Sequence, residues 1–337
     1  MTDAFVETLT RAEAERVIES LRYGVPPEGL MLPFTVGRKS ELSKLRGTLD
    51  GQGSAASGQF LRANYGSGKS HLLKVIREMA LGSGHAVSFV TMDAYGGVRG
   101  NRMDQILEAI CRGIEVPGSE SRGLAALFRV AVAKGIDVDV IVRSKYYLWI
   151  NHANSDVVAN RFQTGGYFKY RSDRSAFYRQ CWDALTDLDR LAKACGLKGL
   201  VLLVDEYEDV VTNLSRYDYQ DTALENLSGF FDGKKFAGLA YFAVTPEFTQ
   251  RWKWRTAGAK LHKQTSFALT PPSRADIKRL ARTIRTVHAR AYELEPNEIL
   301  GDAELEQEVH RLLGLSSQDR IRQTIEGIVR ALDDAAE

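Results

Sequence analysis

The sequence is short of cysteine, of long apolar runs and of any excess of charge, and each shortage removes a class of protein. Its three cysteines, Cys111, Cys181 and Cys195, form no CxxC pair and cannot all be bridged, which excludes a disulfide scaffold and suits a reducing compartment. Core thiols are expected. No stretch reaches the ~18 apolar residues that a membrane span requires, and the charged run from Met1 to Arg22 lacks the apolar core of a secretory signal. These absences predict a soluble, cytoplasmic protein with no membrane association. None of the six histidines has HxxxH or HExxH spacing, and no Ser or Cys stands in a nucleophile-elbow context, so structural zinc and covalent catalysis find no support. With Lys+Arg 45 against Asp+Glu 43, the net charge of +2 neither favours nor disfavours a polyanionic partner. Distribution matters more than the sum.

What is present is a chain of 337 residues, 44% hydrophobic and 26% charged, long enough for one large or two ordinary domains with a well-buried core. Ala14, Val17, Ile18 and Leu21 recur at helical spacing, and Gly24 with Pro26-Pro27 ends that helix. A second helix opens after Gly37, with Ser40 as its expected N-cap and Leu42, Leu45 and Leu49 on one face. The Gly-, Ser- and Ala-rich stretch Gly51 to Gly58 reads as a loop.

Four apolar runs of strand length follow, Gln59 to Arg62, Ala86 to Met92, Leu200 to Val204 and Leu239 to Val244, with a weaker fifth at Ser266 to Leu269. Runs without alternation predict strands buried on both faces, and the helical patterns between them predict a three-layer α/β fold with a parallel sheet. About a hundred residues separate the second and third runs, more than one crossover needs, so a mainly helical insertion is expected over about 95–175. Its candidate helices lie near Met103 to Ile114, Gly123 to Lys134 and Val140 to His152, with a packed loop from Asn160 to Tyr170. After Pro271-Pro272 the pattern is wholly helical. The expected division is 1–50 as an N-terminal lead-in, 51–270 as the core and 271–337 as a C-terminal helical lid.

Ala63-Asn64-Tyr65-Gly66-Ser67-Gly68-Lys69-Ser70 lies directly after the first strand and before a helix carrying Leu72, Leu73, Val75 and Ile76. That arrangement converges backbone N–H groups and a helix N-terminus on one polyanion, as a phosphate-binding P-loop does. Gly66 and Gly68 allow close backbone approach, Lys69 can reach the β and γ phosphates, and the Ser70 hydroxyl can ligate Mg²⁺. Ala63 replaces the usual first glycine, a substitution the motif accepts. His71 follows inside the helix, at a position suited to packing.

Leu200 to Glu206 is an apolar strand ending in two carboxylates, the form of a Walker B element. Asp205 can hold Mg²⁺ and Glu206 can orient and deprotonate the attacking water. The competing reading is a buried strand that merely ends in a solvated acidic turn, since Glu208 and Asp209 show that acids are plentiful there. Thr245, at the end of the Leu239 to Val244 run, is placed to sense the γ phosphate or simply to cap the strand.

From Arg251 to Arg290 there are eleven basic residues against one acid, Asp276, and beyond Ala291 the balance reverses to twelve acids and four arginines. With Trp252 and Trp254 among them, the basic residues could follow DNA, supply arginines to ATP, or pair with the acidic segment that follows.

Val17 to Pro27, Thr35-Val36-Gly37-Arg38, the GSGKSHLL of Gly66 to Leu73 and Gly199 to Glu206 together resemble the BREX-system ATP-binding proteins of the BrxC/BrxD kind, bacterial ATPases of phage-defence islands. Those are related to the AAA+ (ASCE-like) and origin-recognition-like P-loop group. The resemblance implies a P-loop NTPase fold, ATP and Mg²⁺ as cofactors, ATP hydrolysis coupled to conformational change, homo-oligomers, and work beside DNA, a helicase or another defence protein. It also implies that Val36, Gly37 and Arg38 lie near the adenine and that a lid sensor arginine falls among Arg274, Arg320 and Arg322. Two alternatives stay open: a nucleotide-gated scaffold with little turnover, and a DNA-binding module in which ATP is secondary.

Overall fold

The computed structural model describes residues 2–51, 58–92, 98–137, 141, 174–264, 266–314 and 320–336, with the backbone alone at 2–4, 174–180 and 320. The expected helix from Val140 to His152, apart from Ile141, the loop from Asn160 to Tyr170 and most of the loop from Gly51 to Gly58 lie outside the described residues.

In chain order the strands are β1 (Gly58–Arg62), β2 (Ala86–Thr91), β3 (Ile114–Glu115), β4 (Leu200–Asp205), β5 (Leu239–Val244) and β6 (Ser266–Ala268). The helices of the first half are α1 (Thr2–Thr8), α2 (Arg11–Arg22), α3 (Lys39–Leu49), α4 (Lys69–Gly82), α5 (Met103–Arg112), α6 (Leu124–Ala133) and α7 (Arg174–Ala194). The rest are α8 (Tyr207–Thr212), α9 (Tyr217–Gly229), α10 (Pro246–Arg251), α11 (Thr256–His262), α12 (Arg274–Tyr292), α13 (Pro296–Ile299), α14 (Asp302–Gly314) and α15 (Arg320–Ala336). The chain divides into two compact units. One gathers Met1–Lys44, Asn64–Val75 and Leu269–Glu337, the other Leu45–Ala63 and Ile76–Ala268.

The second unit is built on a six-stranded sheet of order β3-β2-β4-β5-β1-β6. Every neighbouring pair is parallel except β2 with β3. All six residues of β4 are buried, as a strand covered on both faces requires. Phe60, Phe230 and Phe242 meet within this core, with Phe230 and Phe242 centroids 5.4 Å apart. Met103, Ile106, Leu107 and Ile110 turn one face of α5 into the same core. Each such side chain contributes roughly 1.5–3 kcal/mol of burial. Cys111, Cys181 and Cys195 are free and buried there, and burial raises all three thiols above their ordinary range.

The first unit is helical. Ala14, Val17, Ile18 and Leu21 of α2 pack with Ile277, Leu280, Ile284 and Val287 of α12 and with Ile328, Val329 and Leu332 of α15. Two capping boxes fix helix starts, Thr10 with Glu13 ahead of α2 and Ser273 with Asp276 ahead of α12. The hydrogen bonds from Thr10 and Ser273 hold the Glu13 and Asp276 carboxyls below their ordinary values. Arg22 clamps Asp333 at 2.9 and 2.8 Å, and Asp333 also meets the buried His288 at 3.0 Å.

Three local expectations change. Ser40 is not an N-cap: α3 already starts at Lys39, Arg38 O accepts from Leu42 N at 2.8 Å, and the Ser40 hydroxyl donates to Glu41. A two-residue antiparallel strand, β3, follows α5 where only helix was expected. Helices α1, α7, α8, α9, α10, α11 and α13 were not marked by periodicity.

Candidate functional site

The segment between β1 and α4 turns through left-handed backbone twice, at Gly66 (φ +73°) and Gly68 (φ +83°), a region in which other residues are strained. Ser67 N donates to Asn64 O at 3.3 Å, and Lys69 Nζ reaches the same carbonyl at 3.3 Å while lying 4.8 Å from the Tyr65 ring centre. The loop thus closes on itself and delivers its last residues into the first turn of α4, a helix N-terminus of the kind that binds anions.

Two side-chain contacts brace this loop from the segment that precedes α3. Arg38, only 6% exposed, donates from Nη2 to Ser67 O at 3.1 Å and from Nη1 to Thr270 O at 2.6 Å. Thr35 Oγ1 lies 2.8 Å from His71 Nε2; because the Thr35 proton goes to Met31 O at 2.8 Å, the imidazole is the donor. Burial, with Lys74 and Arg38 nearby, pushes His71 down to about 4, so it packs as a neutral ring. Gly37 has φ +70°, and a Cβ there would stand 2.9 Å from Asp276 Oδ2. Val36 packs against the helical core. Val36, Gly37, Arg38, the loop Asn64 to Ser70 and His71 therefore belong to one unit.

Ala63, Asp205, Glu206 and Thr245 belong to the other unit, at the C-terminal edge of its sheet. Ala63 N donates to Val244 O at 3.2 Å, so β1 leaves the sheet beside the end of β5, and β5 lies between β1 and β4. Asp205 closes β4 and is buried; its Oδ1 accepts from Glu206 N at 3.1 Å. Glu206 is exposed and left-handed at φ +59°, ψ +24°, a conformation costing a non-glycine residue about 1–3 kcal/mol. Tyr207 is buried immediately beyond it and donates to Ala223 O at 3.0 Å, anchoring α8 on α9.

Glu208 is not part of a solvated acidic turn. It is 8% exposed, and its Oε2 accepts from both Thr245 N at 2.9 Å and Thr245 Oγ1 at 2.7 Å. Thr245 precedes α10 without capping it through its side chain. Nothing in the run Asp205 to Asp209 distinguishes Glu208; only the β4 and β5 pairing brings it to Thr245.

The basic segment separates into engaged and exposed residues. Arg255 is buried, donates to Asp221 and to Tyr217 O at 3.0 Å, and stacks on the rings of Trp254, Tyr217 and Trp252 at 4.6, 5.1 and 5.4 Å. Trp252 is buried, whereas Trp254 is 68% exposed. Lys278 and Arg282 meet Glu306 at 2.5 and 3.0 Å, and Arg285 meets Asp302 at 2.8 Å. For these residues the pairing of basic and acidic segments is what the chain adopts. Arg274 and Arg322 are exposed.

A mainly parallel α/β sheet with a glycine loop entering a helix N-terminus and a carboxylate-tipped strand is compatible with a P-loop NTPase. Residues 9–130 match the family model described as BREX system ATP-binding protein BrxC/D. That span contains the Thr35 to Arg38 segment and the glycine loop; β4 and β5 lie beyond it. No curated protein matches the chain. Among the described residues, no helix is long and apolar enough to cross a membrane.

Proposed function

We propose that the chain binds MgATP at the loop Ala63 to His71 and hydrolyses it to drive conformational change within a phage-defence system of the BREX kind. The observation that carries this reading is the loop itself: two left-handed glycines leading into the amide terminus of α4, with Lys69 at its first turn. The residues fit the group. A triphosphate asks for converging N–H donors and a cation, and magnesium with phosphate and water ligands asks for only one or two protein oxygens. Ser70 and Asp205 are those oxygens in this reading; no cluster of three or more metal-ligating side chains is formed among the described residues.

When bound, MgATP supplies a phosphoanhydride whose cleavage releases free energy. Lys69 and the amides of Gly66 to Ser70 bind and orient phosphate oxygens, Glu206 takes the proton of a water, and Thr245 senses the γ phosphate by turning its hydroxyl from Glu208 Oε2, which it meets at 2.7 Å. The position of β5 between β1 and β4 and the helices beyond Pro272 support an AAA+ (ASCE-like) core with a helical lid. Homo-oligomers and a helicase or other defence protein are the partners this reading implies. A second reading, DNA association, draws on Arg251, Lys253 and Trp254, which remain exposed; reversing the two charges should flatten the salt dependence of duplex binding if it holds.

Calorimetric titration tests the nucleotide reading. Lys69→Ala should lower ATP affinity on the order of 100-fold, and Glu206→Gln should keep affinity while losing phosphate release. A wild-type chain that binds no ATP ends the proposal.

A further inference from the structure

Arg38 belongs to the segment that the family resemblance places beside the adenine, yet both ends of its guanidinium are committed to backbone carbonyls, Ser67 O at 3.1 Å and Thr270 O at 2.6 Å. We infer that Arg38 is a positioning residue for the phosphates: it sets the peptide plane that aims the Gly68 amide into the anion nest and ties that plane to the start of helix α12. The inference rests on the loop being the ATP site.

Peptide geometry carries the first half. Across a trans peptide the carbonyl and the following N–H point in opposite directions, so a donor that holds Ser67 O from outside turns Gly68 N–H the other way. An anion nest needs successive amides facing one concavity, and a flipped Ser67–Gly68 plane would put a carbonyl where a phosphate oxygen belongs. Gly68 lies at φ +83°, where the plane has no side chain to hold it; the nearest atom to a Cβ built there is His71 Cβ at 4.0 Å. The restraint has to come from elsewhere, and Arg38 is buried against it.

The second carbonyl carries the other half. Thr270 precedes Pro271-Pro272, whose rings hold it extended, and three residues later Ser273 caps α12. Gly37 bears on the same cap, since a Cβ there would stand 2.9 Å from Asp276 Oδ2. A planar fork satisfies two acceptors at once, as Arg38 does, whereas a lysine ammonium on its flexible four-carbon stem is a point donor. Its burial makes both acceptors necessary, and Glu41 at 3.5 Å supplies the nearby countercharge.

The experiment compares wild type, Arg38→Lys and Arg38→Ala by titration with ATP, GTP and inorganic tripolyphosphate, each with magnesium, after checking each thermal midpoint without ligand. Arg38→Lys should lose affinity for ATP and tripolyphosphate by the same factor, roughly 10- to 100-fold, with the ATP to GTP ratio unmoved and Arg38→Ala more affected. Loss of ATP affinity and of ATP over GTP preference with tripolyphosphate unaltered would make Arg38 a base contact and overturn the inference. So would variants that bind both as wild type does. A wild type that binds neither probe is a different outcome and removes the ATP site itself. Should the variants not fold, hydrogen exchange on wild type decides: tripolyphosphate should slow exchange at Gly68 and in the first turn of α12 together, and slowing at the loop alone overturns the link.

Discussion

The glycine loop after β1 and the end of β4 both turn through left-handed backbone on their way into a helix. At Gly66 and Gly68 the residues lack a Cβ, and the loop reaches φ +73° and +83° without side-chain strain. At Glu206 the same region, φ +59°, is occupied by a residue with a full side chain, and the sheet register of β4 with the burial of Tyr207 holds it there. The difference follows from what each place presents. The loop offers amides, so a side chain would only obstruct; the strand end offers a carboxylate, so the fold carries the strain.

The sharpest way to break the comparison is to give position 206 the loop's solution. Glu206→Gly should remove phosphate release by about 10²- to 10⁴-fold while raising unfolding stability by about 1 kcal/mol, a reversal that paired turnover and denaturant measurements would expose. Unchanged turnover would dismiss the carboxylate's role. Next in size is Glu208→Ala, which leaves the buried Thr245 N–H and hydroxyl without their acceptor and should cost roughly 2–3 kcal/mol in urea unfolding. A cost near zero would mean that the Glu208 and Thr245 contact is not maintained in solution. Gly68→Ala should cost about 1–2 kcal/mol from backbone strain alone, since a Cβ would meet nothing closer than 4.0 Å. Gly37→Ala, facing Asp276, should cost more than Gly68→Ala. A further effect is in pH. His71 is depressed from 6.5 to about 4, so its contribution is fully present above pH 6.5 and fades as pH falls toward 4. His71→Gln should therefore flatten the thermal-midpoint profile between pH 6.5 and 4, and a profile as steep as wild type would assign that slope to other groups.

Much of the sheet was legible because buried parallel strands are uninterrupted apolar runs: the stretches read as strands from the sequence fall on β1, β2, β4, β5 and β6. The helices after Pro272 were legible for a related reason, their apolar residues keeping a helical period. Strand β3 was not, since two residues carry no period. Glycine spacing located the loop; its bracing by Arg38 and His71 was hidden because the partners lie 29 and 36 positions apart and meet only through the fold. The same holds for Glu208 with Thr245, 37 positions apart, and for Arg255 with Asp221, 34 positions apart.

The helical unit draws α2 from one end of the chain and α12 and α15 from the other. Its closure joins residues separated by some three hundred positions, for example Arg22 with Asp333, 311 apart. During synthesis the strands of the sheet are all in hand before α15 exists, so α2 must wait with Val17, Ile18 and Leu21 uncovered by their later partners. Vectorial folding thus makes an early helix among the last to find its place, and a chain stalled after β6 would present that apolar face to whatever chaperone or neighbour arrives first.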